Sequence, residues 1–141
     1  MVVTDPAAHP PIRVVAVSVR DARGRFLTVR KRGTDAFMQP GGKPEPGESA
    51  IETGIRELDE ELGAVVADVA WLGEWTAPAA NEPGRVIEAV VLTARLVSLR
   101  GPQAEIEELL WWDPADPAVP AERIAPLLRD VVAPALAATD R

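Results

Sequence analysis

The 141-residue sequence contains no cysteine and no tyrosine, and His9 is its single histidine. Without cysteine the chain cannot form disulfides, zinc–thiolate sites or a cysteine nucleophile. One histidine leaves little room for histidine acid–base chemistry or for a histidine metal cage. Long apolar runs are also missing, because none approaches the roughly 18 to 20 residues that a membrane span requires. We therefore expect no membrane partner.

Basic residues are scarce relative to acidic ones: 15 Lys and Arg against 22 Asp and Glu give a net charge of −7. Binding to a nucleic-acid polymer needs a basic face that this balance supplies only locally, so we expect no such partner. A phosphate compound would need a cation to bridge it to such an acidic chain. The first residues, Met-Val-Val-Thr-Asp, lack a basic segment followed by an apolar one, which predicts a cytoplasmic protein.

The length of the chain fits one domain. Residues 1–11 contain three prolines and little apolar periodicity, which predicts a flexible N-terminal lead-in before a single domain over residues 12–141. At the other end, residues 121–138 carry apolar side chains near helical spacing. Pro126 and Pro134 are expected to kink or divide this C-terminal helix.

β-Branched and apolar segments predict a sheet. Residues 12–20 and 26–29 flank a turn at Gly24 and are expected to form a hairpin. Three later segments have the same character and are expected to join that sheet, namely residues 65–75, 85–97 and 109–112.

A loop rich in proline and glycine, residues 39–48, leads into the best-defined predicted helix. Ser49 and Glu52 have the spacing of a capping box, and Gly63 is typical of a helix C-terminus. Four apolar residues recur at helical spacing and are expected to form the face toward the core: Ile51, Ile55, Leu58 and Leu62.

The same helix carries an acidic stripe. Glu57, Glu60 and Glu61 fall within one arc about 100° wide, which we expect to face solvent. Like charges at these spacings repel by a few tenths of a kcal/mol per pair, whereas clustered carboxylates suit Mg²⁺ or Mn²⁺. Taken alone, such a stripe is more often a solvated helix surface than a metal site.

The residues around the stripe form a longer pattern, comprising Gly42, Glu48, Arg56, Glu57, Leu58, Glu60, Glu61 and Gly63. This pattern resembles the Nudix box, with Ala64 standing where a bulkier aliphatic residue is usual. The chain is therefore similar to the Nudix hydrolases, including the MutT-like pyrophosphohydrolases. The resemblance implies an α/β fold, an α/β/α sandwich with a mixed β-sheet.

The resemblance also implies Mg²⁺-dependent hydrolysis of a nucleoside diphosphate linked to another group. Arg56 and Glu48 are implied to hold the loop and a glutamate in place, and Gly42 and Gly63 are implied to be structural. Catalytic roles are implied for Glu57, Glu60 and Arg56. The implied ligands of Mg²⁺, or of Mn²⁺ as a substitute, are Glu57, Glu60, Glu61 and the carbonyl group of Gly41.

Breaking a phosphoanhydride requires a positioned water, a group that accepts its proton, and neutralisation of phosphate charge. Glu57 is our first candidate for the general base. A glutamate from a later loop is the alternative, and Glu105 is preferred there over Glu107 and Glu108 by its position in the loop. A plain surface role for these three glutamates stays open.

Basic residues near the loop are candidates for binding the phosphates of the substrate. Lys43 adjoins the paired glycines and is preferred, while Arg30 and Arg32 follow the second predicted strand. An ordinary role at the end of the strand is equally compatible with the two arginines.

The substrate is less well defined by the sequence. By resemblance, the lack of tyrosine disfavours dinucleoside polyphosphates, and Ala121 and Glu122 stand where guanine-specific relatives carry an asparagine. We expect a nucleoside triphosphate or another nucleoside diphosphate derivative. The alternatives are an ADP-ribose or nucleotide-sugar pyrophosphatase and a non-catalytic, nucleotide-binding regulatory module. A homodimer is also left open.

Overall fold

The computed structural model describes residues 9–140, so most of the predicted lead-in lies outside the described residues. The first strand begins at Ile12. The strands are β1 (Ile12–Val19), β2 (Phe26–Lys31), β3 (Gly41–Gly42), β4 (Val65–Pro78), β5 (Val86–Ser98) and β6 (Ile106–Trp112). The helices are α1 (Ala50–Leu62), a 3₁₀ turn (Ala121–Arg123), a π-helical segment (Leu127–Val132) and α2 (Ala133–Thr139).

Four of the strands form a mixed sheet in the order β3-β1-β5-β4. β1 and β5 run parallel, with Ile12 opposite Ile87 and Val19 opposite Ala94. β1 pairs antiparallel with β3, and β4 pairs antiparallel with β5. The mixed sheet expected from the resemblance is therefore confirmed.

The predicted β1–β2 hairpin is wrong. The turn itself forms, since the Asp21 side chain accepts hydrogen bonds from the backbone N–H groups of Arg23 and Arg25 at 2.9 Å each. Only one bridge, between Arg20 and Phe26, then joins the strands. Both edges of β1 are already occupied by β3 and β5, so β2 pairs with β6 in a separate two-stranded sheet. The expectation of one sheet is corrected accordingly.

The large sheet lies between two helical layers. Val15 and Val17 share a buried cluster with Leu58 of α1, whereas Ala16, which points to the opposite face of β1, shares a cluster with Leu128 of the C-terminal segment. Successive residues of a strand face opposite sides, so β1 contributes to both cores. This arrangement is the expected α/β/α sandwich.

The capping box on α1 is present as predicted: the Ser49 hydroxyl accepts from the Glu52 N–H at 3.1 Å, and the Glu52 carboxylate accepts from the Ser49 N–H at 3.0 Å. Gly63 ends the helix in the left-handed conformation, with φ of 55°. The predicted core face is partly wrong, because Ile51 and Ile55 are exposed. The buried residues of α1 are Thr53, Gly54, Leu58, Glu61 and Leu62.

Gly54 explains this rotation of α1. A Cβ atom at Gly54 would lie 3.0 Å from side-chain carbons of both Val17 and Leu92, so the helix backbone packs directly on the sheet at this residue. The face of α1 that contains Gly54 and Glu61 thus turns inward, and the face that contains Ile55 turns toward solvent.

The C-terminal residues are divided as the prolines predict. Pro126 precedes the π-helical segment, and Pro134 lies in the first turn of α2. The apolar residues Ile124, Leu128 and Val132 are buried. Among the described residues, no helix combines the length and apolar character needed to cross a membrane.

Candidate active site

The Gly41–Gly42 strand brings the loop against α1. Its pairing with Val15 and Ala16 of β1 fixes the backbone, and a Cβ atom at Gly41 would lie 2.0 Å from the Val15 carbonyl oxygen. A Cβ atom at Gly42 would lie 2.5 Å from Oε1 of Glu57. Only glycine fits at Gly41, because the clash there is with backbone, whereas a side chain at Gly42 would displace the Glu57 carboxylate, which packs directly on the loop backbone.

Glu61 is buried, not solvent-facing as the sequence predicted. Its side chain is on the inward face of α1, the residue is 2% exposed, and Oε1 accepts a hydrogen bond from the Gly41 N–H at 2.8 Å. Burial, together with the neighbouring charge of Glu57, raises the pKa of Glu61 to about 8, against the lowering effect of the Gly41 hydrogen bond. A buried carboxylate with an acidic neighbour is poorly balanced by the protein alone.

Arg56 ties the loop to the helix. Its Nε donates to Glu48 Oε2 at 2.7 Å and its Nη2 to Glu48 Oε1 at 2.9 Å, a bidentate pair that a lysine could not form. Nη2 also donates to the Lys43 carbonyl oxygen at 3.1 Å. The hydrogen bonds from Arg56 lower the pKa of Glu48 to about 2. Glu48 is further held by the Thr53 hydroxyl at 2.8 Å.

Arg56 also reaches the acidic stripe. Its Nη1 lies 2.9 Å from Glu57 Oε1 and 3.3 Å from Glu60 Oε2. Burial raises the pKa of Glu57, and the hydrogen bond from Arg56 lowers it again in part. Glu60 is half-exposed at the rim. The structure thus brings Glu57 and Glu60 to one guanidinium and places Glu61 on the inner side of Glu57.

A second acidic group approaches from the loop before β6. The negative charge of Glu105 raises the pKa values of both Glu57 and Glu61, which places it within electrostatic reach of the helix carboxylates. Lys31 Nζ lies 3.6 Å from Glu105 Oε1, and its positive charge lowers the pKa of Glu61.

The basic residues that follow the second predicted strand do not all face the candidate site. Arg30 pairs with Glu108 at 2.5 Å and Arg32 with Glu107 at 3.1 Å, in ion pairs between β2 and the β6 region. Lys31, which lies between these two arginines in the sequence, instead pairs with Glu105, and its charge reaches Glu61. The strand register shifts between Arg30 and Lys31, so simple alternation along β2 does not predict this difference.

A cavity of about 300 Å³ adjoins the paired glycines. Its lining is mostly aliphatic, and its polar groups and glycine backbone come from Lys31, Thr34, Gln39, Gly41, Gly42, Asn81 and Glu82. Lys43 does not line this cavity but a wider groove of about 1170 Å³ along the sheet. The smaller cavity and the carboxylates thus share the Gly41–Gly42 backbone.

The donor set fits a hard divalent cation. Within residues 9–140 no three acidic or histidine side chains lie close enough together to hold a metal ion as they stand. The available donors are nonetheless all oxygen atoms, the chemistry that Mg²⁺ prefers. Glu61 is buried, and its ionised form lacks a compensating charge, which a bound cation would supply.

The profile of the NUDIX domain matches residues 9–133, which is most of the chain. The chain belongs to the Nudix family. Nudix hydrolases generally use a divalent metal ion such as Mg²⁺. The box glutamates, the paired glycines and the Arg56–Glu48 pair described above are the parts of this chain that carry the Nudix pattern.

Individual relatives match parts of this Nudix chain. An RNA pyrophosphohydrolase of Halorhodospira halophila is 44% identical over 59 residues, covering 42% of this chain and 33% of that protein. An ADP-ribose pyrophosphatase of Methanocaldococcus jannaschii is 29% identical over 87 residues, covering 60% of this chain and 50% of that protein. The chain thus spans a third to a half of these curated relatives.

A solved structure agrees over nearly the full length. The NUDIX hydrolase from Nitrosomonas europaea superposes with a TM-score of 0.76, covering 94% of this chain and 92% of that one at 24% identity. This likeness supports the Nudix fold.

Proposed function

We propose that this chain hydrolyses a phosphoanhydride bond in a nucleoside triphosphate or another nucleoside diphosphate derivative, with Mg²⁺ as cofactor. The observation that carries the proposal is the buried carboxylate of Glu61, held by the Gly41 N–H beside Glu57. Gly41 and Gly42, which contact this pair, line a cavity of the size that a small ligand needs.

Glu57, Glu60, Glu61 and the Gly41 carbonyl group would hold Mg²⁺, with Mn²⁺ as a substitute. The bound ion would supply neutralisation of phosphate charge and activation of a water molecule. Glu61 is poised for this role because its burial makes the carboxylate costly to ionise unless a cation is present.

Neighbouring side chains hold the proposed metal ligands in place. Arg56 holds Glu57 on one side and Glu48 on the other, so the guanidinium fixes the distance between loop and helix. Glu57 and Glu105 are the two candidates to accept the proton of the attacking water. Glu57 lies directly on the loop backbone, and the exposed side chain of Glu105 has the greater freedom to reach the substrate.

Phosphate charge would be met by basic side chains. Lys31 is the preferred residue, because it lines the cavity and lies beside Glu105. Lys43, at the opposite side of the glycine loop, would reach phosphates that extend into the groove. The proposed roles of Arg30 and Arg32 stay predictions, since both guanidiniums are paired with glutamates of the β6 region.

The test is release of phosphate and pyrophosphate with Mg²⁺ across nucleoside triphosphates, oxidised nucleotides, ADP-ribose and nucleotide sugars. Wild type is compared with Glu61→Gln, and with Glu107→Gln, which removes the same charge from an exposed ion pair. We expect turnover of one class by wild type and Glu107→Gln, lost in Glu61→Gln. Absence of turnover across the panel by a folded protein would favour the non-catalytic module.

ADP-ribose or a nucleotide sugar is the second candidate substrate. The M. jannaschii ADP-ribose pyrophosphatase matches 60% of this chain. Preference for ADP-ribose over every nucleoside triphosphate in the same panel would select this alternative.

A further inference from the structure

The loop between β5 and β6, residues 99–105, covers the C-terminal end of α1. The last carbonyl groups of a helix have no partner within the helix itself. Here the Arg100 N–H and the N–H of the next residue both donate to the Leu62 carbonyl oxygen, at 3.2 and 3.0 Å. The Gln103 N–H donates to the Glu61 carbonyl oxygen at 2.8 Å. The loop is thus bound to the helix that carries the acidic stripe.

The side chain of Gln103 completes this attachment. Its Nε2 donates to the carbonyl oxygens of Asp59 at 3.0 Å and Glu60 at 3.3 Å. Each of the last four carbonyl groups of α1 therefore has a hydrogen-bond partner in the loop. Gly63 leaves the space for this contact, because a Cβ atom there would lie 2.9 Å from Gln103 Oε1.

A tight turn follows Gln103. The Ile106 N–H donates to the Gln103 carbonyl oxygen at 3.0 Å, with Ala104 and Glu105 at the centre of the turn. Ala104 has a φ of +51°, in the left-handed region that residues other than glycine rarely adopt. Such a conformation persists only where its surroundings hold it. Gln103 holds one end of the turn on α1, and the Glu105 carbonyl oxygen accepts from the Arg32 N–H of the chain after β2 at 2.8 Å.

The position of this turn decides where the charge of Glu105 acts. The Glu105 side chain is exposed, so it is not fixed by packing, whereas its backbone is held at both ends of the turn. Its negative charge already raises the pKa values of Glu57 and Glu61. Because the energy between charges depends on their separation, a displaced turn would change the effect of Glu105 on any cation bound there.

We propose that Gln103 is a positioning residue: by binding the end of α1 it holds the turn and so places the Glu105 carboxylate beside the proposed metal ligands. An amide suits this role because it donates two hydrogen bonds to carbonyl groups without carrying a charge. A lysine or arginine at the same end of the helix would bring a positive charge that competes with the metal ion. The importance of the Glu105 charge rests on the proposed function.

The test is a double-mutant cycle in Mn²⁺ affinity, measured from the electron paramagnetic resonance signal of the free ion. The proteins compared are wild type, Gln103→Met, Glu105→Gln and the double variant. Gln103→Met removes both side-chain hydrogen bonds at similar volume and keeps the backbone N–H that binds Glu61. Thr139→Val is the matched control, because it removes a side-chain hydrogen bond of 2.8 Å to the Leu136 carbonyl oxygen near the end of α2.

Glu105→Gln should weaken Mn²⁺ binding by about fivefold or more, and Gln103→Met by about threefold or more. The double variant should bind no more weakly than Glu105→Gln alone, since Gln103 acts through Glu105. Thr139→Val should bind as wild type does. Equal affinity of wild type and either single variant, or losses that multiply in the double variant, would overturn this inference and leave the metal site standing. Absence of Mn²⁺ binding by wild type would reject the proposed function and this inference together.

Discussion

Glu61 and Gly41 are joined by a hydrogen bond of 2.8 Å that links the inward face of α1 to the loop strand. This contact keeps a carboxylate that is 2% exposed against the backbone of the loop. One carboxylate of the acidic stripe is therefore buried against the backbone of the loop. Its charge, its stability and its proposed activity should respond together to changes at Glu61.

Replacing Glu61 by glutamine should separate stability from activity. The amide oxygen can still accept from the Gly41 N–H, while the buried charge is removed. In metal-free buffer at pH above the pKa of about 8, we expect Glu61→Gln to raise the melting temperature. Turnover should fall by about 100-fold or more. Thermal unfolding and rate measurements check both, and a variant with wild-type turnover would contradict the assigned role.

The metal-free protein should lose stability as pH rises. The pKa of Glu61 is raised from 4.5 to about 8. Its contribution to the free energy of unfolding is therefore complete below pH 4.5 and is lost as pH rises through about 8. Glu57 is shifted in the same direction. Glu48, with its pKa lowered from 4.5 to about 2, stabilises the fold throughout this range and loses that effect only as pH falls below 4.5 toward 2. Because one proton is involved, the free energy of unfolding should fall by at most about 1.4 kcal/mol per pH unit.

Denaturant unfolding in EDTA between about pH 5 and pH 8 measures this slope. Glu61→Gln should flatten the profile, and Mg²⁺ should stabilise wild type more at the upper end of the range, because binding requires the ionised carboxylate. A wild-type profile that is as flat as that of the variant would show that Glu61 is not held in the protonated form.

Lys31 and Arg32 form a matched pair of adjacent basic residues. Lys31 lines the cavity, whereas the Arg32 side chain is exposed and paired with Glu107. Lys31→Ala should lower kcat/KM by about tenfold or more, through the loss of a phosphate contact. Arg32→Ala should change it less than about twofold. Steady-state kinetics on both variants decide this, and the reverse order of effects would restore the original prediction for Arg32.

Gly42→Ala should displace Glu57. The new Cβ would lie 2.5 Å from Glu57 Oε1, so the carboxylate must move. A shift of about 1 Å at a reacting group can reduce the rate about 100-fold. Gly24→Ala is the control: it lies in the turn after β1 with φ of +79° and no nearby atoms, so it should cost about 1 kcal/mol of stability and leave turnover intact. Equal turnover of the two variants would mean that Glu57 tolerates displacement.

Local features of the fold were predictable from the sequence. The capping box of Ser49 and Glu52 and the end of α1 at Gly63 depend on residues within one turn of the helix, and both are present. The division of the C-terminal segment by Pro126 and Pro134 likewise follows from proline stereochemistry. The acidic motif was sufficient to predict the family.

Features that depend on distant contacts were not predictable. β1 pairs with β5, more than 70 residues later, and this pairing displaced the expected hairpin. The inward rotation of Glu61 follows from the close approach of Gly54 to Val17 and Leu92, which no periodicity of apolar residues reveals.

The most direct test of the account is a titration of the protein with Mn²⁺, followed by the electron paramagnetic resonance signal of the free ion. Wild type should reduce that signal with at least one bound ion per chain, and Mg²⁺ should compete. Glu61→Gln should weaken binding by about tenfold or more, while Glu107→Gln, in its exposed pair with Arg32, should bind as wild type does. Equal Mn²⁺ affinity of wild type and Glu61→Gln would contradict the proposed metal site.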